Sequence, residues 1–236
     1  MGPPGEWETE AERWASWART PGHDAYWHYR DHFFNDLLPP PGRHTVEIGC
    51  GEGRVARDLC AHGHHVTGID SSERLLSYAR EEDTQSAYIV ADGAALPFRD
   101  GYFDLAVAYN SLQVVSDVEA TVEEVARVLC PGGRFCACVA HPVTDLGRFV
   151  DGDRGGEFVL RGDYFARRRV EDRIERDGLE VTVRGWSYTL EDYAAAFERS
   201  SLLIETIREP RPSRGSSRYE PWQRAPMFLS LRARKA

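Results

Sequence analysis

Lysine is almost missing from this 236-residue chain: Lys235 stands alone against 28 arginines, and the formal net charge is −9. Nucleic acids are gripped mainly by Lys and Arg neutralising phosphates, so the acidic balance argues against a nucleic-acid partner. The densest basic stretch, 166-ARRRVEDRIERD-177, interleaves Glu171, Asp172 and Glu175 with its arginines and reads as a solvated charged ribbon. No run of about 18 apolar residues occurs, and the start MGPPGEWETE is acidic and Trp-bearing, which predicts neither a membrane span nor a signal peptide. The five cysteines, Cys50, Cys60, Cys130, Cys136 and Cys138, are odd in number and contain no CxxC pair. Scattered through apolar segments without ligand spacing, they predict reduced thiols, a cytoplasmic setting and no metal.

What is present is enough apolar material, 42%, for one sizeable core. Residues 7–34 carry Trp7, Trp14, Trp17, Tyr26, Trp27, Tyr29, Phe33 and Phe34 at helical spacing, which predicts two short helices broken at Pro21-Gly22 and ended by Pro39-Pro40-Pro41-Gly42. Short apolar runs then alternate with amphipathic stretches. Strands are predicted over 45–48, 65–69, 87–91, 103–109 and 134–140, and helices over 54–62, 73–81 and 118–129, the last closed by Pro131-Gly132-Gly133. The alternation predicts a mostly parallel sheet with helices on both faces.

From Pro142 to Gly185 the rhythm is lost, apart from alternating segments 169–176 and 179–186 joined at Asp177-Gly178, a hairpin signal. A helix over 189–202 opens on Thr189 as N-cap with Asp192 three residues on. Strands at 203–207 and 227–231 bring the sheet to seven, and the loop 209-EPRPSRGSSRYEPWQR-224 between them reads as either a mobile loop or a functional flap. The whole predicts one domain: a helical lid (1–42), a ligand-binding core (43–141), an insert with a β-hairpin (142–188) and a closing helix with antiparallel strands (189–236).

The stretch 45-TVEIGCGEGRVARDL-59 carries the strongest chemical signal. It lies at the first strand-to-helix turn of a parallel sheet, where such sheets bind ligands, and three glycines there let a ligand approach the backbone closely. A dinucleotide fingerprint would need a third glycine at position 54, which is Arg54, so a nicotinamide-dependent oxidoreductase is disfavoured. Glu47 below the turn would repel a pyrophosphate but suits an ammonium group. Asp70, ending 68-GID-70, stands 21 residues after Gly49, placed for the two hydroxyls of a ribose, and Asp92 in 91-ADGAALPF-98 can accept from an adenine amino group. Together these three sites describe an amino acid, a ribose and an adenine.

The motifs VEIGCGEG (46–53), GID (68–70), ADGAALPF (91–98), FDLAVAYNSLQVVSD (103–117) and VARVLCPGGRF (125–135) resemble those of class I S-adenosylmethionine (SAM)-dependent methyltransferases of the small-molecule type. The resemblance implies a Rossmann-like seven-stranded fold and SAM as cofactor, with S-adenosylhomocysteine (SAH) as product. It places Glu47, Gly49, Cys50 and Gly51 around the methionine end and Asp70 and Ser71 at the ribose. Asp92, Gly93 and Ala94 fall at the adenine, and Tyr109 or Asn110 near the sulfonium. Residues 109–112 read YNSL rather than an NPPY-like motif, which disfavours amino-methylation of adenine or glutamine, and no acidic cluster suggests metal assistance.

Methyl transfer asks the protein mainly to align two reactants and, where needed, to remove a proton. His141, directly after the fifth strand, is the first candidate base and Tyr109 the second, with His23 and His28 more distant. Tyr26, Tyr29, Trp186 and Tyr188 are candidates for the acceptor pocket, which predicts O- or N-methylation of a small aromatic or apolar metabolite, of the kind found in secondary metabolism, by a monomer or homodimer. The alternative is the same fold and cofactor used for a non-methylating reaction, such as cyclisation, or for binding alone.

Overall fold

Four fully buried residues, Thr45–Ile48, form the central strand β1, and the rest of the molecule is arranged about it. The computed structural model describes residues 5–150, 156–213, 215 and 218–236. In chain order the elements are α1 (Glu6–Arg19), α2 (Tyr26–His32) running into a π-helical turn (Phe33–Leu37), then β1, α3 (Arg54–Ala61), β2 (Val66–Asp70), α4 (Glu73–Glu82) and β3 (Ala87–Val90). There follow β4 (Phe103–Tyr109), α5 (Val118–Val128), β5 (Leu129–Ala140), β6 (Gly147–Phe149), β7 (Phe158–Leu160), β8 (Arg169–Arg176) and β9 (Leu179–Trp186). The chain ends with α6 (Leu190–Arg199), β10 (Leu202–Arg208) and β11 (Phe228–Lys235).

Seven strands form one sheet in the order β10-β11-β5-β4-β1-β2-β3. β1 pairs in parallel with both β2 and β4, and only β11 runs against its neighbours. Strand order therefore reverses between β1 and β4, and the crevice at their carboxyl ends is where such a sheet offers a site. One face of the sheet is covered by α5 and α6, where Val118, Val122, Val125, Tyr193 and Phe197 close on Phe135, Ala137 and Val139. The other is covered by α2, α3 and α4 through Tyr29, Phe33, Leu59 and Leu76. Each such aliphatic or aromatic side chain contributes about 1.5–3 kcal/mol on burial.

Side-chain chemistry at the helix ends matches the sequence. Ser72 accepts from Leu75 N–H at 3.1 Å to open α4, and Thr189 and Asp192 form a reciprocal capping box at α6. Asp177-Gly178 closes the β8–β9 hairpin, with Asp177 and Gly178 both left-handed. Two expectations need correction. Helix α5 ends at Val128, and Pro131-Gly132-Gly133 lies inside β5, looped out between the pairs Phe103–Leu129 and Leu105–Arg134. In the stretch 142–168, where the rhythm is lost, a second hairpin forms from β6 and β7, three-residue strands too short to show an alternation; residues 151–155 lie outside the described residues.

Candidate active site

The turn after β1 is built from backbone in conformations that side chains resist: φ is +67° at Gly49, +56° at Gly51 and +84° at Gly53. Space is equally restrictive. A Cβ on Gly49 would stand 2.6 Å from Ser111 Cβ, and one on Gly53 would stand 2.7 Å from the Tyr88 hydroxyl. Ser111 is itself locked to the end of β1 by donating to the Ile48 carbonyl at 2.6 Å. Turn and loop thus clamp one another at the strand-order switch.

Asp70 ends β2 and joins the turn to α4. Its Oδ2 accepts from Gly51 N–H and its Oδ1 from Ser72 N–H, both at 2.9 Å. Burial pushes its carboxyl above the usual range while those amides pull the other way. Glu47, 1% exposed on β1, keeps Oε2 without a hydrogen-bond partner, and burial together with Glu52 and Asp70 pushes its carboxyl well upward. An unpaired buried carboxylate beside two others is a place for a cation. Cys50 is buried against Gly68, with its thiol pushed well up by burial, so it packs and does not react. Ser71 is exposed beside Asp70.

At the end of β3, exposed Asp92 folds its side chain back to accept from Ala94 N–H at 3.0 Å, which bends the chain across the sheet edge. Gly93 sits close to Thr121 and Ile48, where a Cβ would stand 3.2 Å from Thr121 Cγ2. Glu47, Gly49, Cys50, Gly51, Asp70, Ser71, Asp92, Gly93 and Ala94 therefore lie at or directly after the carboxyl ends of β1, β2 and β3.

Helix α1 covers this row. Trp14 Nε1 lies 3.4 Å from where a Gly51 Cβ would be. Ser72 Oγ donates to Glu8 at 2.6 Å, and Arg19 donates to the Tyr78 carbonyl at 2.7 Å and to Glu52 at 3.5 Å. Arg169 on β8 ion-pairs with Glu6, and Arg176 donates to the His23 carbonyl, so the β8–β9 hairpin holds α1 from its other side. Arg54, first residue of α3, is wedged between Trp14 (5.4 Å) and Tyr26 (4.3 Å) and ion-pairs with Asp24 at 2.7 Å.

The ends of β4 and β5 hold the candidate acceptor-side groups. Asn110 is left-handed (φ +54°), strained for a residue with a Cβ, and its side-chain oxygen is buried without a partner. Tyr109 packs edge-on to Tyr26 at 5.2 Å and Phe33 at 4.9 Å; its hydroxyl is unpartnered and burial pushes its pKa well up. The phenol keeps its proton at neutral pH, so it can offer a hydrogen bond but is unfit to take a proton. His141 is 4% exposed. Val143 N–H donates to its Nδ1 at 3.3 Å, which leaves Nε2 carrying the proton toward Glu209 Oε1 at 3.0 Å. Burial lowers the imidazole pKa and Glu209 opposes it.

Tyr29 is core, 1% exposed and packed on Phe228 at 4.8 Å, although its hydroxyl has no partner. The Trp186 backbone N–H donates to the Gln113 carbonyl at 2.8 Å, which ties β9 to the loop after β4, and Tyr188 lies beyond it against Tyr193 at 5.4 Å. Tyr26 and Tyr29 thus stand on the α2 face of the sheet while Tyr188 packs into the opposite core, so the four candidates do not form one wall. His28 is half-buried, its Nδ1 3.2 Å from Ser213 Oγ, and His23 stacks edge-on to Trp17 at 4.3 Å.

Sequence reasoning missed Trp14, Asp24, Arg54 and Glu209 as site residues. Arg54 was visible only as the residue that breaks a dinucleotide fingerprint, and Glu209 only as the first residue of the long loop. Among the described residues no group of three His, Cys, Asp or Glu could hold a metal ion, and no helix is long and apolar enough to cross a membrane.

Residues 46–137 match the family model for a methyltransferase domain. The chain is 37% identical over 90 residues to a malonyl-[acyl-carrier protein] O-methyltransferase of Erwinia pyrifoliae, covering 38% of this chain and 34% of the relative. It is 35% identical over 102 residues to a demethylmenaquinone methyltransferase of Corynebacterium kroppenstedtii, covering 43% and 44%. The chain thus spans well under half the length of these curated relatives. An SAM-dependent methyltransferase structure from Mesorhizobium loti superposes with a TM-score of 0.71 at 28% identity, over 90% of this chain and 98% of that one. With this fold, this switch point and these matches, residues 46–137 carry a methyltransferase domain, and the chain's homologues and structural neighbours are SAM-dependent methyltransferases, whose cofactor is SAM.

Proposed function

We propose that the protein transfers a methyl group from SAM to an oxygen or nitrogen of a small aromatic or apolar metabolite. The observation that carries this reading is the pairing of the left-handed glycine turn with Asp70, whose carboxylate is pinned to Gly51 N–H at the switch point. Bound SAM would supply a methyl on a sulfonium, which bonds to the acceptor heteroatom as the sulfur–methyl bond breaks and its electron pair returns to sulfur. The chain's own residues then have three tasks: hold, align and take up a proton.

Holding falls to the turn and the strand ends. Gly49 and Gly51 leave room against the backbone for the methionine portion, and Glu47 Oε2 offers a buried, unpartnered oxygen to an ammonium group. Asp70 accepts from the ribose hydroxyls beside Ser71, while the bend at Asp92, Gly93 and Ala94 borders the adenine.

Alignment falls to Asn110, held left-handed at the end of β4, and to α1 with the β8–β9 hairpin as a lid that excludes water. His141 takes up the acceptor's proton through Nδ1. Glu209 acts as its positioning residue by fixing the tautomer that leaves Nδ1 the weakly engaged nitrogen. Incubation with methyl-labelled SAM and a metabolite extract, followed by identification of the labelled product, tests the reading: label in a small molecule supports it, and binding of SAM with no label transferred to any acceptor contradicts it.

A further inference from the structure

Buried polar atoms in folded proteins almost always have partners, because each one left unmade costs about 1–3 kcal/mol. On the α2 face of this molecule four are left unmade within one neighbourhood: Asp24 Oδ1, His23 Nε2, Tyr29 OH and Tyr109 OH. Each of the four residues is at most 9% exposed. Asp24 is the electrostatic hub of the group, its carboxylate acting on the Tyr109 and Tyr219 phenols and on the His23 and His28 imidazoles.

The position of this group relative to the methionine end of the site follows a short chain of contacts. Gly51 is covered by Trp14; Trp14 lies on Arg54; Arg54 ion-pairs with Asp24 and stacks on Tyr26; and Tyr26 packs on Tyr109, which adjoins Asn110. Asp24 is therefore linked to the glycine turn through Arg54 and Trp14, and to the end of β4 through Arg54 and Tyr26.

Chemistry separates the possible ligands. Asp24 Oδ2 is occupied by Arg54, so the pair carries no net charge, and Oδ1 can only accept. A group filling that position must donate a hydrogen bond. A carboxylate would face a carboxylate oxygen. An ammonium would lie close to Arg54 and to Arg176, whose guanidinium donates to the Tyr219 hydroxyl at 3.3 Å. Tyr26, Tyr29, Tyr109 and Tyr219 bring phenol rings together in the same buried cluster, a setting suited to a flat partner.

We propose that Asp24 Oδ1 docks the methyl acceptor, and that the acceptor is a neutral ring compound bearing a hydroxyl or aryl-amine group rather than a carboxylic acid. This rests on the methyl-transfer reading above and narrows its substrate class. It sets the chain apart from any relative built to accept a carboxylate.

Three probes of one size distinguish the outcomes: 2-naphthol, 6-aminoquinoline and 2-naphthoate, each titrated calorimetrically into SAH-saturated protein. The first two are expected to bind, and naphthoate at least about tenfold more weakly, the scale of one hydrogen bond to a charged group. Asp24→Asn turns the docking atom from acceptor to donor. It should weaken naphthol by about tenfold and strengthen naphthoate, while SAH affinity stays within about twofold. Tyr109→Phe should weaken naphthol by a smaller factor without altering SAH.

Naphthoate binding wild type as tightly as naphthol, no binding of either neutral probe, or a Asp24→Asn variant that loses SAH would overturn the proposal. The wild-type ranking stands even if Asp24→Asn fails to fold. A wild type that binds neither SAM nor SAH would instead overturn the cofactor reading beneath it.

Discussion

The two halves of the crevice are built by different means. On the cofactor side, the carboxylates that end β2 and follow β3 are satisfied by nearby backbone, with Glu47 Oε2 alone left open for the ligand among those assigned to it: Asp70 takes two amides from Gly51 and Ser72, and Asp92 takes one from Ala94. On the acceptor side, His23 Nε2 and Asp24 Oδ1 from the α1–α2 loop, Tyr29 OH from α2 and Tyr109 OH from β4 are left unpaired. A pocket made from turns is stiff and accepts one ligand; a pocket made from converging side chains can be changed residue by residue. The comparison teaches that cofactor binding and acceptor choice should separate cleanly under mutation.

The largest expected separation is at His141. Replacing it with Ala should leave SAM affinity unchanged and lower turnover by about 10²-fold or more, the usual scale of general base loss. Because burial holds the imidazole below its ordinary pKa, the acid limb of the rate profile should lie below that of a free histidine. Glu209→Gln removes the influence that opposes the shift, so the limb should move lower still; a limb that moves upward contradicts the pairing.

On the cofactor side, Gly49→Ala combines a left-handed backbone with a collision against Ser111. A cost of about 2–4 kcal/mol is expected, visible as a melting temperature lowered by roughly 5–15 °C, with SAM binding lost alongside it. Unchanged melting would mean the turn can relax. Asp70→Ala removes the acceptor for Gly51 and Ser72 N–H as well as the ribose contact. It should weaken SAM by about 1.5–3 kcal/mol in calorimetry.

The smallest effect expected lies outside both halves. Asp145 in the loop after β5 is raised by burial from its usual 3.8 to about 6, with Arg168 opposing. Its folded pKa exceeds its unfolded one, so the folded state binds the extra proton. Stability is therefore fully present below about pH 4 and falls as pH rises through 6. Asp145→Asn should stabilise the protein at pH 8 by on the order of 1–2 kcal/mol after solvent screening, and change nothing at pH 3.5. Equal effects at both pH values in chemical denaturation would contradict the shift.

The same contrast explains what could be read from the sequence. The glycine turn, Asp70 and Asp92 occupy successive strand ends, and each carries its geometry in local residue types, so the cofactor half was legible residue by residue. The sheet was legible for the same reason, through alternation and capping residues such as Thr189. The β6–β7 hairpin was not, because three-residue strands carry no period, and the loop-out at Pro131-Gly132-Gly133 read as a helix stop because proline and glycine serve both purposes.

The acceptor half was legible only as an aromatic excess. Asp24 meets Arg54 across 30 residues and His141 meets Glu209 across 68, separations that no local pattern encodes. Tyr29 and Tyr188 show the cost of judging an aromatic by type alone: one lies in each core, on opposite faces of the sheet.

The central claim, that the bend at residues 49–53 and the carboxylate at position 70 grip one molecule of SAM, is tested most directly by a crystal structure of the protein soaked with SAH. The account predicts the ribose hydroxyls within hydrogen-bonding distance of Asp70 and the homocysteine end against Gly49 and Gly51. Density for the nucleoside elsewhere, or its absence at millimolar SAH with these residues accessible, would contradict it.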